Sequence, residues 1–140
     1  MALESLSRGA RSALCLDNQT EAVKSLLAVR QLLGANGLQV EQADTLQWLA
    51  THEQNRQPER GDATAAETFD IIFLDPPFAA NLLQSSVDLL AKSNLLSDRA
   101  WVYLEFDRQS AMPQLPIGWE LSKEKKTGGI CCCLIRINLQ

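Results

Sequence analysis

The sequence predicts a doubly wound α/β sheet with helices on both faces and a C-terminal antiparallel hairpin that places an antiparallel strand at one edge, on three observations. Short apolar runs alternate with stretches of helical periodicity along a chain of 140 residues. Acidic residues stand at or just past the ends of four of the runs, at Asp17, Asp44, Asp75 and Glu105. Near the carboxyl terminus, two strand-like segments flank Thr127-Gly128-Gly129, which marks a tight hairpin instead of a further crossover.

Taken in order, residues 2–8 read as a short helix stopped by Gly9, and residues 12–16 as a short buried strand followed by Asp17-Asn18. Residues 20–33 carry Ala22, Val23, Leu26, Leu27, Val29, Leu32 and Leu33 at helical spacing, closed by Gly34 and the Asn36-Gly37 turn. Residues 38–43 alternate as a strand, Asp44 stands as a cap, and a helix begins at Thr45 with Leu46, Trp48 and Leu49 on one side. From 53 to 68 the chain turns polar and charged. Because the βα alternation resumes at once, this stretch reads as a surface loop and not as a domain boundary, so one domain over 1–140 is expected. Ile71-Ile72-Phe73-Leu74 is a buried strand, 82–90 an amphipathic helix, 100–104 a buried strand ending at Glu105, and 119–125 with 130–137 the terminal hairpin.

Composition narrows the function classes. With 46% hydrophobic and 21% charged residues the chain is an ordinary globular protein, and its net charge of −4 gives no global basic footprint for nucleic acid. Local clusters, Arg8 with Arg11 or Lys123 with Lys125 and Lys126, are left to make such contacts, and each also reads as plain solvated surface. No apolar stretch reaches the length of a membrane span, and the opening residues lack the order of a signal peptide, so a cytoplasmic protein with no membrane association is expected. Cys15 stands alone, and Cys131-Cys132-Cys133 would alternate across a strand. Neither arrangement has metal-ligand spacing, so no metal is expected and the thiols read as small buried groups.

The chemistry concentrates in Asp75-Pro76-Pro77-Phe78. Two consecutive prolines lack backbone N–H groups and hold φ near −65°, so the chain leaves the strand extended and stiff with its carbonyls free to accept. The exocyclic amino nitrogen of guanine or adenine is a poor nucleophile because its lone pair is delocalised into the ring. Accepting its two hydrogens on the Asp75 carboxylate and the Pro76 carbonyl favours a pyramidal nitrogen and aims the lone pair at an electrophilic methyl group, while Phe78 stacks on the base. The competing reading is a strand followed by a Pro-Pro turn with Phe78 in the core. In open α/β sheets ligands bind beyond the carboxyl ends of the strands, which makes Asp17 or Asn18 candidate acceptors for ribose hydroxyls. Asp44, with Thr45 opening the next helix, is a candidate acceptor for an adenine amino group. Helix capping competes with both roles.

Leu3-Glu4-Ser5-Leu6-Ser7-Arg8-Gly9-Ala10, the strand-end Asp17, Ala43-Asp44, the run from Phe69 to Phe78 and Val102-Tyr103-Leu104-Glu105 together resemble the RsmD family of bacterial enzymes. The resemblance covers nearly the whole chain. It implies a class I methyltransferase fold, S-adenosylmethionine as cofactor, and methylation of the exocyclic N2 of a guanine in small-subunit ribosomal RNA, with the RNA or the small subunit as partner. By carry-over, Asp75, Pro76, Pro77 and Phe78 hold the base, Asp44 lies by the cofactor's adenine and the segment from Cys15 to Asp17 by its ribose. In two places the chain departs from the family. Cys15 occupies a position where the family usually has an acid, and the family's first strand with its glycine-rich loop would precede Met1, so a partial domain of reduced independent activity is expected.

Three other readings stay open: an adenine-N6 DNA methyltransferase using the same turn, a non-catalytic remnant of the fold, and a nucleotide-dependent oxidoreductase. The last is disfavoured because no Gly-x-Gly-x-x-Gly stretch occurs. Oligomeric state and the target nucleotide are not readable from the sequence.

Overall fold

The structure, a computed structural model, describes residues 1–52, 67–77 and 81–139. These fall into two compact units, 1–48 and 49–140. The polar stretch expected as a loop lies almost entirely outside the described residues.

In the first unit, α1 (Ala2–Ser7), β1 (Ala13–Asp17), α2 (Thr20–Leu33), β2 (Leu38–Gln42) and the start of α3 (Thr45–Ala50) follow the expected order. β1 and β2 pair in parallel, from Ala13 opposite Leu38 to Asp17 opposite Gln42. Gly34 ends α2 in the left-handed region at φ 62°, and the Ala35 N–H donates back to the Arg30 carbonyl at 3.0 Å. Gly37 is required by closeness, since a Cβ there would stand 3.0 Å from the Arg11 carbonyl oxygen and 3.2 Å from Leu6. The apolar stripe of α2 is less covered than its spacing suggests. Val23 is buried, whereas Leu32 is 83% exposed and Leu33 64%. A two-stranded ladder offers too little surface to bury a helix of this length.

The second unit is built on a four-stranded mixed sheet in the order β3-β4-β6-β5. β3 (Phe69–Leu74) runs parallel to β4 (Leu96–Asp107), which pairs antiparallel with β6 (Ile130–Ile137), itself antiparallel to β5 (Trp119–Thr127). The strands therefore form two sheets, and among the described residues β1 pairs only with β2 and β3 only with β4. The terminal hairpin supplies the last two strands, with an antiparallel strand at the edge as expected. β6 lies inside the sheet and β5 forms the edge, where Lys123, Lys125 and Lys126 discourage pairing with other chains.

Alternation decides the burial of this sheet. Ala100, Val102, Leu104 and Phe106 of β4, with Cys131, Cys133, Ile135 and Ile137 of β6, point to the buried face. Val87 and Leu90 of α4 (Leu82–Ala91) complete the core. Cys132 alternates to the opposite face, as the sequence implied, and all four cysteines are free. Burial pushes the Cys133 thiol up to about 12, which keeps it protonated. β5 and β6 join through Gly128-Gly129, with Gly128 at φ 60°, the positive φ a tight hairpin demands at its first turn position. A Cβ at Gly128 meets nothing within 4 Å, so the cost of Gly128→Ala is conformational alone. Thermal or denaturant unfolding is expected to show a loss of about 1–2 kcal/mol.

Candidate functional site

Asp17 and Asn18 close β1, and Asp44 and Thr45 join β2 to α3, so parallel pairing brings these four residues to the same carboxyl end of one ladder. The Ala43 N–H donates to the Asp17 carbonyl at 3.0 Å, which carries the pairing just past β2. Asp17 Oδ1 accepts the Gln19 N–H at 2.8 Å, an Asx turn leading into α2. Asp44 Oδ1 accepts the Gln47 N–H at 3.0 Å and so caps α3. Capping is therefore a real duty of Asp44, and it uses one oxygen. The second carboxylate oxygen of each aspartate has no hydrogen-bond partner among the described residues.

Gln42 is a contributor that sequence reasoning missed. Its amide donates to the Asn18 carbonyl at 3.3 Å and to Thr20 Oγ1 at 2.9 Å, tying the end of β2 to the start of α2. Nothing local in the sequence announces this, because the partners lie on a different strand and helix. Trp48 is held in turn by its indole N–H, which donates to Glu41 at 3.1 Å. Cys15 lies on β1 two residues before Asp17. Burial, only partly offset by the amino terminus, pushes its thiol up, so at neutral pH it is a weak polar group and no substitute for a carboxylate acceptor.

In the second unit, Asp75-Pro76-Pro77 leaves β3 directly after the buried Leu74. Asp75 is exposed, and no hydrogen bond to its carboxylate exists among the described residues. Phe78 lies outside the described residues. Since Leu74 pairs with Leu104, the next residue on each strand sets Asp75 beside Glu105. Glu105 is not at a strand end as expected. It lies within β4, because antiparallel pairing to β6 carries the strand on to Asp107. Burial and the like charge of Glu105 hold the Asp75 carboxyl above the ordinary carboxylate value. Tyr103 Oη donates to Glu105 Oε2 at 2.9 Å, and the Tyr103 ring meets that of Phe73 at a centroid distance of 5.7 Å. Tyr103 itself is pushed well up, first by hydrogen bonding to Cys132, and it remains a donor.

A family model described as "Conserved hypothetical protein 95" matches residues 1–136. The chain belongs to this family, the RsmD family. A curated relative from Buchnera aphidicola subsp. Baizongia pistaciae, "Ribosomal RNA small subunit methyltransferase D", is 35% identical over 130 residues, which cover 91% of the chain and 59% of the relative. The chain thus spans about three-fifths of that relative's length. The solved structure of yhhF from Escherichia coli superposes with a TM-score of 0.84 at 26% identity, covering all of this chain and 72% of that one. A ribosomal protein L11 methylase from Lactobacillus delbrueckii subsp. bulgaricus superposes at 0.69 with 17% identity over 99% of this chain and 64% of that one, which shows a shared fold alone. This chain is an α/β protein of the class I methyltransferase fold. Among its described residues no helix is long and apolar enough to cross a membrane, and no cluster of side chains could hold a metal ion.

Proposed function

We propose that this RsmD-family chain is part of an S-adenosylmethionine-dependent enzyme that methylates the exocyclic N2 of a guanine in small-subunit ribosomal RNA, in the cytoplasm. The observation that carries the reading is the Asp75-Pro76-Pro77 corner: a carboxylate with no hydrogen-bond partner among the described residues, followed by two residues whose backbone cannot donate, at the carboxyl end of a parallel strand. In this reading Asp75 and the Pro76 carbonyl accept the two amino hydrogens, Pro77 keeps the corner extended, and Phe78 stacks on the base. Orientation of the nitrogen lone pair supplies most of the acceleration, without a covalent enzyme intermediate.

The acceptors at the ends of β1 and β2 fit the cofactor by their chemistry. Asp17 and Asp44 each keep one carboxylate oxygen without a hydrogen-bond partner among the described residues, suited to ribose hydroxyls and to an adenine amino group, with Asn18 and Thr45 beside them. When bound, S-adenosylmethionine provides an electrophilic methyl group. Asp44→Ala is expected to abolish the heat of S-adenosylmethionine binding in titration calorimetry. It also removes the α3 cap, at a stability cost of about 1 kcal/mol.

The function is tested with radiolabelled S-adenosylmethionine and unmodified small-subunit RNA, followed by digestion to nucleosides. Label in N2-methylguanosine is expected, and label in N6-methyladenosine would assign the adenine chemistry instead. A second reading, a fold that no longer binds donor, is favoured by the thiol of Cys15 in the place of an acid. A flat calorimetric trace for the unaltered chain would support it.

A further inference from the structure

We propose that Glu105 selects guanine over adenine by accepting the N1–H beside the amino group that Asp75 holds. This rests on the reading of Asp75-Pro76-Pro77 as the amino-group acceptor and extends it to a residue that reading does not use. The register sets Asp75 next to Glu105 on the adjoining parallel strand, and alternation gives both the face opposite the buried Leu104. Glu105 is not a freely swinging surface acid. Tyr103 Oη binds its Oε2 at 2.9 Å, and the Tyr103 ring is itself fixed against Phe73. Its Oε1 has no hydrogen-bond partner among the described residues.

No salt bridge among the described residues reaches either acid. Two neighbouring carboxylates repel each other, and after burial this repulsion is the second cause that raises the Asp75 carboxyl. A ligand edge that offers donors to both relieves the repulsion, and one that offers a donor and a lone pair does not. Guanine presents the N2 amino group and N1–H side by side. Adenine presents its N6 amino group beside N1, whose lone pair would face the second carboxylate. The pair therefore favours guanine by one charge-assisted hydrogen bond and disfavours adenine by one repulsion. Aspartate or glutamate at both positions serves this purpose, and glutamine at the second does not. Its amide can turn to offer either a carbonyl or an N–H, and so suits both bases.

The test is carboxyl-carbon NMR on the full 140-residue chain, titrated separately with guanosine and adenosine 5′-monophosphate. In the unaltered chain the guanine nucleotide is expected to shift the Asp75 and Glu105 resonances with an affinity about tenfold or more above that of the adenine nucleotide. In Glu105→Gln the Asp75 response should persist while the preference falls to about threefold or less. An amide fingerprint matching that of the unaltered chain excludes misfolding as the cause. Equal affinities in the unaltered chain, or a preference that survives in Glu105→Gln, would overturn the role of Glu105 while leaving the corner's role intact. If neither nucleotide moves Asp75, the amino-acceptor reading fails, and the selection mechanism fails with it.

Discussion

Asp75→Asn is expected to lower methyl transfer by about 10²–10³-fold while leaving the fold intact, the scale set by removing one preorganised polar group from a transition state. Asparagine can keep one acceptor oxygen, but its NH₂ group opposes an amino hydrogen, and the negative charge that stabilises the developing cation is lost. Stability should move the other way. The folded-state carboxyl is raised above the ordinary value by burial and by Glu105. Its stabilising contribution is therefore present below the unfolded carboxyl's pKa and is lost as pH rises through the folded value. At neutral pH the ionised side chain weighs slightly against folding, and Asp75→Asn should unfold at the same denaturant concentration or slightly higher, a gain of about 0.5 kcal/mol or less for so exposed a group. Opposite signs on activity and stability separate a functional acid from a structural one. The same shift moves the acidic limb of kcat/KM up from the ordinary aspartate value, and Glu105→Gln should move that limb downward.

The largest stability effect is expected in the second unit's core. Leu104 is fully buried, paired to Leu74 on one side and Cys133 on the other, and Leu104→Ala removes apolar contact on both. A loss of about 2–5 kcal/mol should appear in the denaturant midpoint, with the upper part of the range reached if neighbours fail to close the void. Leu121 is 43% exposed on the edge strand, and Leu121→Ala should stay within about 0.5 kcal/mol. Near-equal losses at the two positions would contradict the assignment of the buried face.

How far the sequence reveals such features depends on whether they are local. α2 runs from Thr20 to Leu33 with Gly34 as its left-handed stop, as periodicity and the glycine indicate, because both signals lie within the helix itself. The Gly128-Gly129 turn is legible for the same reason. β4 is longer than its apolar core suggests. The apolar run marks residues 100–104 alone, yet the strand starts at Leu96, which pairs with Phe69 of β3. The placement of β6 inside the sheet and the split into two sheets depend on long-range pairing, which no local window contains.

The candidate site divides in the same way. Asp75 and the two prolines are visible as a break after an apolar run, and Asp44 as a residue ahead of a helix. The neighbourhood of Asp75 with Glu105 follows only from the β3–β4 register, and Gln42's bridge to Asn18 and Thr20 only from the β1–β2 ladder. Side-chain roles that span strands stay hidden until the pairing is known.

The most direct measurement is the position of a guanine base at the corner, from a crystal of the chain grown with guanosine 5′-monophosphate. The expected result is an N2 nitrogen within hydrogen-bond reach, about 2.7–3.2 Å, of both the Asp75 carboxylate and the Pro76 carbonyl oxygen. A base bound elsewhere, or an Asp75 carboxylate turned away from the ligand, would contradict the assignment of this corner as the amino-group acceptor.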